Sequence, residues 1–281
     1  DNHHVVISWL LNESHNPVEL LETYLMSNIL LDNSASPLRK ALEGSKLGTS
    51  PSPLTGLEAD QKELVFAAGL EGCVASKHIE VEELILDCLN SLIKDGVPKD
   101  LIHSSLHQLE IRQREITGSG MPFGLQIMLN CLPACIHNDN PLEILDLDNA
   151  FNTIKENLKS ENYIENLIEK NLISNSHRLN YSLIPDIEFN KKNEQKIQKK
   201  VLDKTRDLSS KDKDDIIKLA NELESRQNAH DDPEVLPKVT KDDIPESRTF
   251  ASPTVSSNNA NSSYFYKTGT NGIVYHSMLF P

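Results

Sequence analysis

Residues 34–72, SASPLRKALEGSKLGTSPSPLTGLEADQKELVFAAGLEG, are the stretch on which the fold of this chain turns. They read as a short capped helix, an irregular passage marked by Pro and Gly, and an apolar strand. Ser36 before Pro37 is a helix start: the hydroxyl is placed to accept from an unpaired backbone N–H, and proline loses nothing at the first helical position. Arg39 to Leu42 continue the helix, and Gly44 and Gly48 supply the permissive backbone that ends it. Leu64 to Leu70 is an apolar run of strand length between turn residues, hence a buried strand. The passage between them, Thr49 to Asp60, is placed to offer backbone to a partner.

On the N-terminal side, Val5 to Leu11 is almost continuously apolar, which predicts a strand covered on both faces. Asn16 and Pro17 open a helix running to about Asp32, with Leu21, Leu25 and Ile29 on its stripe. On the C-terminal side, Ile79 to Asp95 repeats apolar residues at helical spacing (Val81, Ile85, Cys88, Leu92), closed by Gly96 and Pro98. Further helices are expected over Lys99–Glu115, Met121–His137, Leu142–Leu158 and Tyr163–Leu172. Then 177–184 alternate cleanly, so that Leu179, Tyr181 and Leu183 are expected to face a core and Arg178, Asn180 and Ser182 to face out. The order implies an α+β fold: a mixed, largely antiparallel sheet with helices packed on one face.

Composition changes at Glu188. Two polar helical segments follow, one with the thin stripe Ile197, Val201, Leu208, the other opened by a Ser209-x-x-Asp212 capping box with Ile216, Leu219 and Leu223. They read as an α-helical hairpin. Residues 230–260 are linker-like, with prolines at 233, 237, 245 and 253. Residues 264–275 read as two strand pieces around a Gly- and Asn-rich turn.

At 281 residues the chain can bury a full core and carry an appendage. A net charge of −14 disfavours nucleic acid and suits basic partners such as cationic peptides. No apolar run is long enough for a membrane helix, and mean hydropathy is −0.41. The four cysteines (Cys73, Cys88, Cys131, Cys135) fall in apolar segments and read as buried free thiols, implying a reducing, intracellular compartment. Both ends read as cut, so an internal piece of a longer protein is expected.

Ser36-Pro37-x-x-Lys40-Ala41-Leu42, Leu47-Gly48-Thr49 and Gly69-Leu70-x-Gly72 resemble the second domain of presequence proteases, in the pitrilysin/insulinase family of zinc metallopeptidases. The match extends in order through Val81–Ile85 with Asp87, then Leu236-Pro237, Asp242–Ile244 and Thr270–Tyr275, and so covers essentially the whole chain. The resemblance implies a non-catalytic domain over 1–187, a helical hairpin linker over 188–230, and an extended linker with the first strands of the following domain over 231–281. Family members hold zinc with His-x-x-Glu-His and a distant Glu, the zinc activating water and the motif's Glu serving as base. That spacing is absent: His107-Gln-Leu-Glu110 is followed by Ile111. His103 and His107 share a helix face at i and i+4, but Ser104 stands where a His-Glu-x-x-His motif has Glu. Zinc is thus implied for the parent enzyme only, with no catalytic or metal residue here.

In the intact enzyme such a domain would form part of a chamber wall for short unfolded peptides of targeting type, next to the remaining domains of the same polypeptide. It would hold substrate backbone by sheet-edge addition. By position that edge is Ser52 to Glu58, with Ser52, Leu54, Gly56 and Glu58 as contacts. The compartment implied is a bacterial cytoplasm or an organelle matrix such as the mitochondrial one. Two other readings stand beside this: an inactive homologue serving as a binding subunit for a separate catalytic chain, and an independent metal protein built on His103 and His107.

Overall fold

A computed structural model describes residues 3–116, 120–137, 140–247, 250–257, 262–267 and 269–280. Contacts divide the chain into two units, Asp1–Pro185 with Gly269–Pro281, and Asp186–Thr268.

The first unit is built on an antiparallel sheet. Strand β1 (His4–Glu13) lies between β4 (Glu63–Glu71) and β5 (Arg178–Leu183), while the short β2 (Ser50–Pro51) and β3 (Gly56–Glu58) both pair with the far side of β4. The register sets Val5, Ile7 and Trp9 beside Leu70, Ala68 and Phe66, all buried on one face. Helices cover that face: α1 (Pro17–Leu31), α2 (Pro37–Gly44), α3 (His78–Asp95), α4 (Lys99–Arg114), α6 (Leu147–Asn157) and α7 (Tyr163–Ile168), with α5 (Phe123–Ile136) between α4 and α6 in sequence. Trp9 anchors the layer. Its ring lies 5.9 Å from that of Phe66, and its indole N–H donates to the Leu172 carbonyl at 2.7 Å.

The glycine fingerprint has a steric reason. A Cβ on Gly69 would stand 2.2 Å from the Val5 carbonyl oxygen, so only glycine lets β1 and β4 approach here. Gly72 turns the chain at φ +66°, and a Cβ there would strike the Thr49 hydroxyl. Thr49 is itself held to the Glu71 carbonyl through its backbone N–H at 2.8 Å. The Leu-Gly-Thr and Gly-Leu-x-Gly motifs are therefore two sides of one close contact.

Several expectations are corrected. The Asn16 side chain caps α1 through the Val18 and Glu19 N–H groups, but Ser36 does not cap α2. The Ser36 hydroxyl turns back, accepting from Asn33 N–H at 3.3 Å and donating to the Asn28 carbonyl at 3.4 Å, which ties α2 to the end of α1. On β5 the faces are reversed. Leu179 and Leu183 lie 62% and 47% exposed on the sheet's open face, while Asn180 and Arg178 turn to the helices, where both meet Glu82 of α3. β1 is covered on both faces only in its first half, since Val6 is buried but Leu10 is exposed. The helix expected over 142–158 is a 3-10 turn and then α6, broken where Asp146 accepts from Asn149 N–H. Of the cysteines only Cys73 is buried, Cys88 and Cys131 are half-buried, and Cys135 is exposed; all four are free.

The second unit holds α8 (Phe189–Thr205) and α9 (Ser210–Asn228), neither with a buried residue. The capping box forms as expected, with Ser209 and Asp212 each accepting the other's backbone N–H. Strand pairing near the end differs from expectation. β7 (Ser262–Phe265) pairs antiparallel with the earlier β6 (Thr254–Ser257), and 273–280 form no strand. That last segment lies instead in the first unit, where the Asn271 amide donates to the Arg114 carbonyl at 3.3 Å and Tyr275 to Glu115 at 2.5 Å.

Candidate functional site: a sheet edge between two grooves

The irregular passage 49–60 forms the sheet's broken border. Ser52 is buried; its backbone N–H donates to the Gly69 carbonyl at 2.9 Å and its hydroxyl lies 3.0 Å from His4 Nδ1. The same hydroxyl accepts from Leu54 N–H at 3.3 Å, and Thr55 N–H returns to the Ser52 carbonyl, closing a tight turn. The Thr55 hydroxyl bridges to both the carbonyl and the N–H of Gly69. The turn delivers the chain to β3, where Gly56 opposes Ala67, Leu57 opposes Phe66 and Glu58 opposes Val65. Gly56 enters at φ +147°, a conformation that favours glycine, with open space where a side chain would stand. Among the described residues β3 has β4 as its strand partner on one side and no strand on the other.

Two grooves flank this border. One, of about 770 Å³, runs between β2–β3 and the helices, with Ser27, Asn28 and Asp32 at the end of α1 and Arg39 of α2 on its far wall. The other, of about 580 Å³, lies on the open face of the sheet and is walled by Leu10, Leu54, Val65, Ala67 and Tyr181. Ser52 and Gly56 line the first; Leu54, Gly56 and Glu58 line the second. The charges of the first groove are matched locally, Arg39 by Glu43 at 2.7 Å and Asp32 by Arg112 at 2.8 Å. No local pattern in the sequence signals the helical wall, because it arises only once Ser36 has bound α2 against α1.

The described residues do not fit a zinc site. His103 and His107 stand on the exposed face of α4, and among the described residues no three His, Cys, Asp or Glu side chains gather around a common point.

Residues 183–281 match the family model for the region associated with peptidases of metallopeptidase family 16, subgroup C. The chain is 29% identical to presequence protease 1, chloroplastic/mitochondrial, of Arabidopsis thaliana over 289 residues, covering 99% of this chain and 26% of that protein. It is 28% identical to the mitochondrial presequence protease of Yarrowia lipolytica, covering 88% of this chain and 24% of that one. Along most of its length the chain is similar to presequence proteases of the pitrilysin/insulinase family of zinc metallopeptidases. A solved structure from Bordetella parapertussis, described as an inactive peptidase domain, superposes at a TM-score of 0.52 with 13% identity, covering 66% of this chain and 94% of that one, so the two share a fold. The chain spans about a quarter of the length of the curated relatives it matches. Among its described residues no helix is long and apolar enough to cross a membrane.

Proposed function

We propose that this chain is a non-catalytic domain of a zinc metallopeptidase that degrades short unfolded peptides, and that it holds their backbone along β3 as part of a chamber wall. The observation that carries this reading is the β3 border, an edge strand without an outer partner among the described residues that lies between a helix-walled groove and an apolar sheet face. An extended peptide added to such an edge sends alternate side chains to opposite faces, and here each face offers a groove. Backbone pairing gives affinity without reading sequence, which suits a degrading enzyme. Ser52 supports the turn, Leu54 and Glu58 face the open-sheet groove, and Gly56 lets a second backbone come close.

In this reading residues 1–187 are the holding domain, 188–230 a hairpin linker, and 231–281 the approach to the next domain. Zinc and the catalytic residues belong to the remainder of the polypeptide. The working compartment is an organelle matrix or a bacterial cytoplasm.

The test is fluorescence anisotropy of an unstructured, labelled peptide titrated with this chain, followed by amide hydrogen exchange. Saturable binding with new protection over 52–58, lost in Leu57→Pro and weakened when alternate peptide amides are N-methylated, is the expected result. Saturable binding whose protection falls elsewhere, or no binding, overturns the edge assignment. Chelator-sensitive peptide cleavage by the zinc-loaded chain overturns the non-catalytic reading.

A further inference from the structure

A second cavity lies along the N-terminal half of α1, whereas the helix-walled groove of the β3 border uses the other end of that helix. It encloses about 530 Å³, within the range of small-ligand sites. Leu20 and Leu21 of α1 form one wall, Phe123, Ile127 and Ala134 of α5 form another, and Leu145 adds to the lining. The reason for the gap is legible in α5, which is apolar on two faces. Phe123, Ile127 and Ala134 look into the cavity, while Leu125, Met128, Leu132 and Ile136 are 41–60% exposed on other sides. A helix of this kind cannot close on α1 with one face without leaving the other bare.

The polar groups in the wall are unequal. Arg114 is saturated by Glu110 at 3.1 Å and Asp148 at 2.5 Å. Asp146 is committed as the cap of α6. By contrast, neither the Tyr24 hydroxyl nor the Asp60 carboxylate has a hydrogen-bond or ion-pair partner among the described residues, although both line the cavity. Glu58 lies close enough to add to this negative field. Burial, then Asp60 and Glu58, push the Tyr24 phenol above its ordinary range, so it stays a neutral donor and acceptor.

We propose that this cavity binds an amphipathic monocation, a hydrocarbon body of about eight carbons carrying one ammonium. The body fills the space between α1 and α5. The ammonium sits at the mouth against Asp60 and donates to the Tyr24 hydroxyl oxygen. An anion of the same length would meet the uncommitted Asp60 charge with no free cation among the described residues of the wall to offset it, since Arg114 already serves two carboxylates. Charge complementarity therefore sets the ligand class and the apolar wall sets its size.

The experiment is calorimetric titration of the whole chain with n-octylammonium, octanoate and 1-octanol below their aggregation concentrations. One equivalent of octylammonium is expected to bind at least ten-fold more tightly than octanoate, with octanol between them. Asp60→Asn should bring the ammonium to the affinity of the alcohol, and Tyr24→Phe should weaken it several-fold. Ile127→Trp, which fills the cavity, should abolish binding of all three. Should that variant not fold, nuclear Overhauser contacts from the octyl chain to Leu20 and Ile127 methyls in the unaltered protein decide the location. Absence of saturable binding, equal or tighter binding of octanoate, or contacts to other methyls overturns the proposal.

Discussion

Asn180 on the edge strand β5 donates its side-chain amide to Glu82 of α3 at 2.7 Å, across 98 residues of sequence. Arg178, two residues earlier on the same face, approaches the other Glu82 oxygen at 3.6 Å. The last strand of the sheet is thus fixed to the helical layer by polar contacts, with its leucines left on the open side. Replacing Glu82 by Ala should cost about 1 kcal/mol, because the pair is partly exposed and loses one good hydrogen bond. Leu179→Ser and Leu183→Ser should each stay within about 0.5 kcal/mol of the parent, as exposed substitutions do. Ile7→Ala on the covered face should cost about 2–5 kcal/mol. Urea unfolding of the four variants measures all of this, and a large loss in Leu179→Ser would show that β5 faces a core.

Gly69 and the Val5 carbonyl make the second prediction. A methyl group at Gly69 would sit 2.2 Å from that oxygen and 2.8 Å from the Val6 Cα, both backbone atoms that cannot turn aside. Gly69→Ala must force β1 and β4 apart over their central pairs, and should cost about 3 kcal/mol or more, in the range of severe overpacking. Gly72→Ala meets the movable Thr49 side chain and a left-handed backbone, and should cost about 1–2 kcal/mol. Thermal unfolding of the two variants should preserve this order.

What the sequence made legible follows from how local its signals are. Asn16-Pro17 could be read because a cap and its helix are neighbours, and the strands β1 and β4 because apolar runs of that length need burial. The alternation of β5 fixed which residues share a face but not which face is covered. That is a tertiary matter: Asn180 and Arg178 meet Glu82, far away on α3, and Leu179, Tyr181 and Leu183 fall on the open side. Ser36 deceived for a similar reason: its hydroxyl shares the Asn28 carbonyl at the end of α1 with the Asp32 N–H and does not cap the N–H groups of α2. At the β3 border the sequence marked the irregular, glycine-bearing passage, whereas the helical wall opposite it depends on tertiary contacts that no local pattern encodes.

Glu110 gives a pH prediction. Burial alone would raise its carboxyl, but the Lys155 ammonium at 2.8 Å and then Arg114 at 3.1 Å outweigh this and hold it below the ordinary glutamate range. A carboxyl depressed in the folded state stabilises above its unfolded value, about pH 4.3, and the gain is lost as pH falls through the lower folded value. Glu110→Gln should therefore cost about 1 kcal/mol at pH 7 and progressively less as the pH drops below about 4. Urea midpoints of parent and variant between about pH 3 and 7 should converge at the acid end; a constant difference would show that the carboxylate charge plays no part.

The last prediction concerns the turn between α3 and α4. Gly96 ends α3 at φ +84° and Pro98 opens α4, leaving the N–H of Val97 between two helices without a backbone acceptor among the described residues. Glu165 of α7 supplies one: its carboxylate accepts from Val97 N–H at 2.6 Å, with both residues buried. A buried donor stripped of its acceptor costs roughly 1–3 kcal/mol, and an emptied glutamate site adds a cavity. Glu165→Ala should therefore destabilise by about 3 kcal/mol. Glu165→Gln keeps an oxygen for Val97 but brings a buried NH₂ that must find its own acceptor, so about 1 kcal/mol is expected. Glu165→Leu separates the two contributions, restoring most of the volume while leaving Val97 unpaired, and should fall between the others at about 2 kcal/mol. Amide exchange reads the same bond directly: Val97 should lose its protection in the Ala and Leu variants and keep it in Gln. Protection retained in Glu165→Leu would mean that Val97 has found another acceptor and that α7 contributes to this turn through packing alone.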